Sequence, residues 1–189
     1  DTMFKLVDPE TGNLAALGAE AAQTITEIRL YAATFADRTA AAELLEKDWN
    51  VGADVWSVTS FTELRRDGME CERWNLMHPT EAPRVPYVAA QLAPHAGPVI
   101  ASTDYMKIYA DQIRAYLPKG REYRVLGTDG FGRSDFRSKL REHFEVNRHF
   151  VVLSALKALA DEGAIPTKTV AKALKKYGIR PDKANPHHA

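Results

Sequence analysis

Short apolar runs alternate with helical patterns along most of this chain. Five runs read as strands: Met3–Val7, Leu14–Gly18, Ala53–Val58, Val99–Thr103 and Tyr123–Gly127. Val55-Trp56-Ser57-Val58 and Val99-Ile100-Ala101-Ser102 are compact runs of the kind that buried parallel strands show. Between them, Ala40 to Trp49 combines strong helix formers with an apolar face. Met106, Ile108, Tyr109, Ile113, Tyr116 and Leu117 make the stripe of a further helix. Thr103 or Asp104 is placed to cap it, and Pro118 to stop it.

The connection from Phe61 to Pro94 is long. It reads as a polar turn at Arg65-Arg66-Asp67-Gly68, then Cys71 to Pro79, then a helix over Val85 to Leu92 introduced by Pro83 and Pro86. Three more helices follow: Phe136–Phe144, Arg148–Glu162 and Thr167–Tyr177. Gly163 and Gly178 stand where C-caps belong. The polar tail, residues 181–189, reads as loosely held. Strands alternating with helices predict an α/β domain with a mainly parallel sheet covered on both faces. At 189 residues the chain suits a single domain spanning 1–189.

The stretch with the most specific local pattern is Tyr123 to Phe136, YRVLGTDGFGRSDF. A strand-like run enters a glycine loop and a helical pattern begins directly after it. Backbone amides near Gly130 and Gly132, with Arg133 and Ser134 beside them, are placed to bind an anion. The loop is neither G-x-G-x-x-G nor a Walker-type sequence. The competing reading is a tight turn that lets backbone approach another domain closely.

Composition narrows the function classes. Lys plus Arg and Asp plus Glu both number 25, so formal net charge is zero and gives no support for a nucleic-acid or membrane-surface protein. Lys172, Lys175 and Lys176 read as a solvated helix face. No apolar run has membrane length. Cys71 is the only cysteine, which rules out an internal disulfide and fits a reducing compartment. Glu70 and Glu72 beside it argue for a raised thiol pKa rather than a nucleophile. None of the six histidines sits in H-E-x-x-H or at metal spacing from Cys71. His78, before Pro79 in a loop, is the one of interest. Ser57, Ser60 and Ser102 lack a nucleophile-elbow context. Trp49, Trp56 and Trp74 read as core or interface anchors. Residue chemistry alone assembles no active site: no catalytic, cofactor or metal residue is nominated.

Longer segments carry a resemblance. VGADVWSVTSFTELRRDG (Val51–Gly68), CERWNLMHP (Cys71–Pro79), APRVPYVAAQL (Ala82–Leu92), ASTDYMKIYADQIRAYLP (Ala101–Pro118) and YRVLGTDGFGRSDFRSKLREHFEV (Tyr123–Val146) resemble the C-terminal part of the homodimeric, bacterial-type pyruvate dehydrogenase decarboxylase component. The FVVLSALKALADEGAI segment (Phe150–Ile165) and the ANPHHA ending are similar as well. The first forty residues depart from the family pattern. Ala19-Glu20 follow Leu17-Gly18 where the family has Ser-Gly. Ala21 to Thr39 is longer than the pattern needs, and its Ile25, Ile28, Ala32 and Phe35 read as an amphipathic helix. The opening Asp1-Thr2-Met3, running straight into a strand-like segment, reads as a cut from a longer polypeptide.

The resemblance implies a transketolase C-terminal fold: three α/β/α layers, with a five-stranded, mostly parallel sheet and one antiparallel strand. It implies a bacterial cytoplasmic enzyme that uses thiamine diphosphate and magnesium, both held by preceding domains at a dimer interface. The implied reaction decarboxylates pyruvate and passes the acetyl group to a lipoyl arm. The implied partners are the preceding domains, a second subunit of the homodimer and the lipoyl acyltransferase, with no nucleic acid or membrane. Family cofactor ligands and catalytic histidines belong to the other domains and map onto no residue here. This segment is then expected to be a structural and subunit-contact module. The alternative is a small-anion-binding domain that uses the Asp129–Ser134 loop.

Overall fold

The computed structural model describes residues 28–32 and 35–188. Its elements run β1 (Ile28–Ala32), α1 (Phe35–Trp49), β2 (Ala53–Ser57), α2 (Phe61–Met77), α3 (Tyr87–Leu92), β3 (Val99–Ser102), α4 (Lys107–Asp111), a 3-10 turn (Arg114–Tyr116), β4 (Tyr123–Leu126), α5 (Arg137–His143), α6 (Arg148–Asp161) and α7 (Thr167–Lys176). The four strands form one parallel sheet in the order β2-β1-β3-β4. Expected strands Met3–Val7 and Leu14–Gly18 lie outside the described residues, so the described sheet has four strands, all parallel, rather than five with one antiparallel.

Strand β3 shows how the layers arise. All four of its residues are buried, and successive side chains point to opposite faces. Ile100 belongs to one core with Ala41 and Leu45 of α1, Val151, Val152, Ala155, Leu156 and Leu159 of α6, and Val170 and Ala173 of α7. Val99 and Ala101 face the other way, toward Phe61 and Leu64 of α2, Val88 and Leu92 of α3, and Ala110 of α4. Two separate cores, one on each sheet face, make the three layers. Edge position grades the burial. Val99 and Ile100 are fully buried and Val58 nearly so, whereas Val55 on β2 and Val125 and Leu126 on β4 are half-buried. In the described sheet β2 and β4 each pair with one strand, whereas β3 pairs with two.

Three local expectations are corrected. The amphipathic helix read over Ala21 to Thr39 is, in its described part, β1 followed by the start of α1. Ile28-Arg29-Leu30-Tyr31-Ala32 also alternates, and pairing with both β2 and β3 satisfies its backbone on two sides. The turn at Arg65–Gly68 lies inside α2, a continuous 17-residue helix. Ser60 caps it, its Oγ accepting from the Glu63 amide at 3.2 Å. Gly68 is there for space: a Cβ would lie closer than 3.0 Å to the Tyr116 ring. Finally, the stripe from Met106 to Leu117 is split into α4 and the 3-10 turn, and the helix N-cap is Met106, with no side-chain cap.

The later helices follow the pattern closely. Asn147 caps α6, accepting from the amides of His149 and Phe150. Gly163 and Gly178 both have positive φ, +76° and +64°, as C-cap residues require. The described part of the tail, to residue 188, makes specific contacts. Pro186 is buried, and Lys183 Nζ donates to the His143 carbonyl at 2.6 Å and Glu145 Oε1 at 3.0 Å. No helix among the described residues is long and apolar enough to cross a membrane.

Candidate functional site

Strands β3 and β4 are parallel neighbours, so the connections that follow them emerge at the same end of the sheet. Those connections are tied together. The Thr128 amide donates to the Tyr105 carbonyl at 2.9 Å, and its hydroxyl to the Asp104 carbonyl at 3.1 Å. The Lys107 amide donates to Asp129 Oδ1 at 3.1 Å, with the Lys107 ammonium 3.8 Å from the other oxygen. Gly127 permits this approach: a Cβ there would meet the Lys107 nitrogen and the Tyr105 oxygen at 2.7 Å each. Thr103, buried at the end of β3, turns the chain, its Oγ1 accepting from the Tyr105 amide at 3.1 Å.

Asp104 is an ion-pair partner rather than the expected helix cap. It receives Nε and an Nη of Arg141, from α5, at 3.1 and 2.6 Å. The bidentate pair anchors α5 to the β3–α4 connection. Between these elements lies a cleft of about 510 Å³ lined by Asp104, Gly130, Arg133, Arg137, Leu140 and Phe144, among others.

The four loop residues singled out in the sequence behave differently from one another. Gly130 has φ +112°, and a Cβ would lie closer than 3.0 Å to the Pro186 carbonyl oxygen. The loop and tail are therefore in backbone contact at Gly130, and only glycine fits. Gly132 has open space around it. Arg133 and Ser134 are exposed, and among the described residues neither makes a hydrogen bond or ion pair; the Arg133 charge reaches His143. The structure thus brings Gly130, Gly132 and Arg133 to one cleft and leaves Ser134 on the outer surface. Arg137 and Arg141 complete the cleft without having been singled out. Their i, i+4 spacing, on one helix face, is the signal that reveals them.

His143 precedes the cleft residue Phe144 and stacks edge-on against its ring. Burial, then the charges of Arg133 and Lys183, hold its pKa below the usual histidine range, with Glu145 opposing. Its Nε2 is buried and has no hydrogen-bond partner among the described residues. A neutral ring is the form these surroundings favour.

The remaining candidates are structural. His78 ends α2, its Nδ1 2.9 Å from the Trp74 carbonyl and its ring stacked on Trp74 at 4.3 Å. The Arg84 guanidinium covers the same indole, also at 4.3 Å. Burial, and then Asp67, raises the Cys71 thiol pKa, with Arg84 opposing and Glu70 adding to the rise. Trp49 is less an apolar anchor than a hydrogen-bonding one: its indole donates to the Tyr177 hydroxyl at 2.8 Å, which donates to Asp48 at 2.9 Å. Lys176, read as part of a solvated face, pairs with Asp48 at 2.8 Å. This network fastens α7 to α1. No group of three or more His, Cys, Asp or Glu side chains among the described residues is placed to hold a metal ion.

Residues 33–147 match the family described as the transketolase-like TK C-terminal domain. The chain belongs to that family. Over 146 residues it is 63% identical to the pyruvate dehydrogenase E1 component of Pseudomonas aeruginosa, covering 77% of this chain and 16% of the relative. It is 59% identical over 152 residues to the E1 component of Cupriavidus necator, covering 80% of this chain and 17% of that one. The E1 component of Escherichia coli strain K12 is 58% identical over 149 residues, at 79% and 16% coverage. The chain therefore matches about a sixth of the length of these curated relatives. Among solved structures, a split-gene transketolase described as an inactive β4 tetramer aligns with TM-score 0.45 at 18% identity, covering 71% of this chain and 38% of that one.

Proposed function

We propose that this chain is the C-terminal module of a pyruvate dehydrogenase E1-type subunit and serves it as a structural and subunit-contact domain. The observation that carries the reading is the 63% identity, over 146 residues, to an E1 component of which it covers only 16%. In this reading the whole subunit decarboxylates pyruvate with thiamine diphosphate and magnesium, then reductively acetylates the lipoyl group of a partner acyltransferase. The subunit works in the bacterial cytoplasm as a homodimer. A fifth, antiparallel strand belongs to the same proposal.

The residues described here do not fit the cofactor. A diphosphate–magnesium site needs oxygen ligands converging on one point. Asp104, which lines the cleft, and Asp129, on the adjoining connection, are turned to Arg141 and Lys107. No reaction step is assigned to this chain. Its contribution is placement: the Asp104–Arg141 pair and the Thr128 and Asp129 hydrogen bonds fix two loops and α5 as one surface.

A second reading, small-anion binding at the glycine loop, is favoured by one observation. Arg133 and Arg137 flank the cleft with no hydrogen bond or ion pair among the described residues. Titration with phosphate and pyrophosphate separates the two readings, and the contact role predicts no saturable binding up to millimolar concentration. The main reading is tested by mixing the chain with a subunit lacking this region, thiamine diphosphate, magnesium, pyruvate and a redox dye. The expected result is association and restored dye reduction by the mixture, with none from the chain alone. Cofactor-dependent turnover by the chain alone, or no association, overturns it.

A further inference from the structure

We propose that the surface built by the β3–α4 and β4–α5 connections docks a carboxylate-bearing apolar face of polypeptide outside these 189 residues. The inference rests on the reading of the chain as one domain of a larger subunit. It goes further by assigning the patch and the chemistry of what covers it.

The patch combines two features. Phe131 and Phe136 are 77% and 81% exposed, Ile108 is 63% exposed, and Tyr105, Met106 and Tyr109 are exposed as well. Phe131 lies between the cleft residues Gly130 and Gly132, Phe136 precedes Arg137, and Tyr105 follows Asp104. Tyr109 extends the same surface through its ring contact with Tyr105 at 4.7 Å. So many large apolar side chains on two tied connections and α4 are unusual for a free surface. Aromatic residues, methionine and arginine are also the types enriched at interface cores and hot spots.

The second feature is charge. Arg141 is neutralised by Asp104, but Arg133 and Arg137 have no partner among the described residues. Burying two guanidiniums under an apolar cover without counter-charges is strongly unfavourable. The cover must therefore bring carboxylates. This selects against a second copy of the same patch, since a two-fold contact would bring like arginines together. It favours a different face, with Asp or Glu set among apolar residues. Most of the length of the E1 relatives lies outside the matched segment, which supplies polypeptide for that role. The surface is also preorganised. The Pro186 backbone against Gly130 and the Asp104–Arg141 pair hold the loops before any partner arrives, so little ordering remains to oppose docking.

The test uses the full-length subunit that carries this chain. A photoreactive benzoylphenylalanine is introduced at position 131 and, separately, at 136, and crosslinked peptides are mapped by mass spectrometry. The expected crosslinks reach peptides outside the 189 residues that contain Asp or Glu. In parallel, Arg133→Glu with Arg137→Glu is expected to weaken assembly at least tenfold, while Arg133→Lys with Arg137→Lys retains most of it. Lys168→Glu, exposed on α7, should leave assembly unchanged. Both arginines are exposed and make no hydrogen bond or ion pair among the described residues, so these substitutions are expected to leave the fold intact. Crosslinks confined to the same domain of a second copy, no crosslinks, or wild-type assembly of the charge-reversed protein overturns the proposal while leaving the module reading standing. If a subunit trimmed of this chain assembles and turns over normally, the module reading fails and the proposal with it.

Discussion

Replacing Gly130 by alanine probes the joint between loop and tail. The native φ of +112° is one that L side chains rarely adopt, and strain of this kind typically amounts to about 1–3 kcal/mol. The new Cβ also collides with the Pro186 carbonyl, whose carbon it would meet at 3.1 Å. Backbone cannot yield there as a flexible side chain would. The domain has two ways to relax. It can keep the tail in place and distort the loop, or it can release the tail and give up the Lys183 bonds to the His143 carbonyl and Glu145, 2.6 and 3.0 Å long. Charge-assisted hydrogen bonds contribute about 1.5–3 kcal/mol when well shielded, and Lys183 is only partly so. The cheaper route decides, so the expected loss is about 2–4 kcal/mol. Gly132→Ala is the internal control. Nothing lies within 4 Å of its would-be Cβ, and a change there should stay within about 0.5 kcal/mol. Urea unfolding measures both losses, and amide exchange over residues 183–188 reports tail release. A Gly130→Ala loss below about 0.5 kcal/mol, or equal losses at both glycines, would refute the argument.

Other consequences are as direct. Leu156→Ala, fully buried in α6, should lose about 2–5 kcal/mol in urea unfolding, and the half-buried Val125→Ala distinctly less. Gly68→Ala pushes a methyl into the Tyr116 ring and should destabilise by about 1–3 kcal/mol, partly relieved by Tyr116→Leu. Burial, aided by Asp48 and opposed by Trp49, raises the Tyr177 phenol to about 12. The unfolded phenol ionises near 10, so between those values the native state holds the extra proton. Stability from Tyr177 is then complete below about pH 10 and lost as pH rises toward 12. Tyr177→Phe should flatten the stability–pH profile in that window, and an unchanged slope would contradict the assignment.

What the sequence made legible divides along physical lines. Strands β2, β3 and β4 and helices α5, α6 and α7 were readable because their signals are local: apolar runs, Asn147 as a cap, and Gly163 and Gly178 at helix ends. Strand β1 was not, because Ile25, Ile28, Ala32 and Phe35 fit a helical period, while its two flanking strands come from positions far along the chain. Gly68 looked like a breaker because the Tyr116 ring that needs its space lies 48 positions away. Asp104 looked like a cap for the same reason: Arg141 is 37 residues distant. At the candidate site, the glycines and Arg133 were visible as a motif. The i, i+4 spacing of Arg137 and Arg141 was present in the sequence as a signal, whereas the tail contact emerged only from tertiary placement.

The sheet order has a consequence for how this domain assembles. Strand β1 comes before β2 in the chain yet lies between β2 and β3. Its register with β3 joins Arg29 to Val99, whereas β3 joins β4 through Val99 and Tyr123. The first pairing closes a loop of about seventy residues and the second about twenty-four, a difference of about 1 kcal/mol in closure entropy. The β1–β2 pairing, Ile28 with Ala53, closes about twenty-five residues, so the β1–α1–β2 and β3–α4–β4 halves are both natural early-forming units and the β1–β3 pairing joins them. Removing β1 would not trim an edge. It would part β2 from β3 and leave two unpaired strand edges facing a gap, each a template for pairing with another chain.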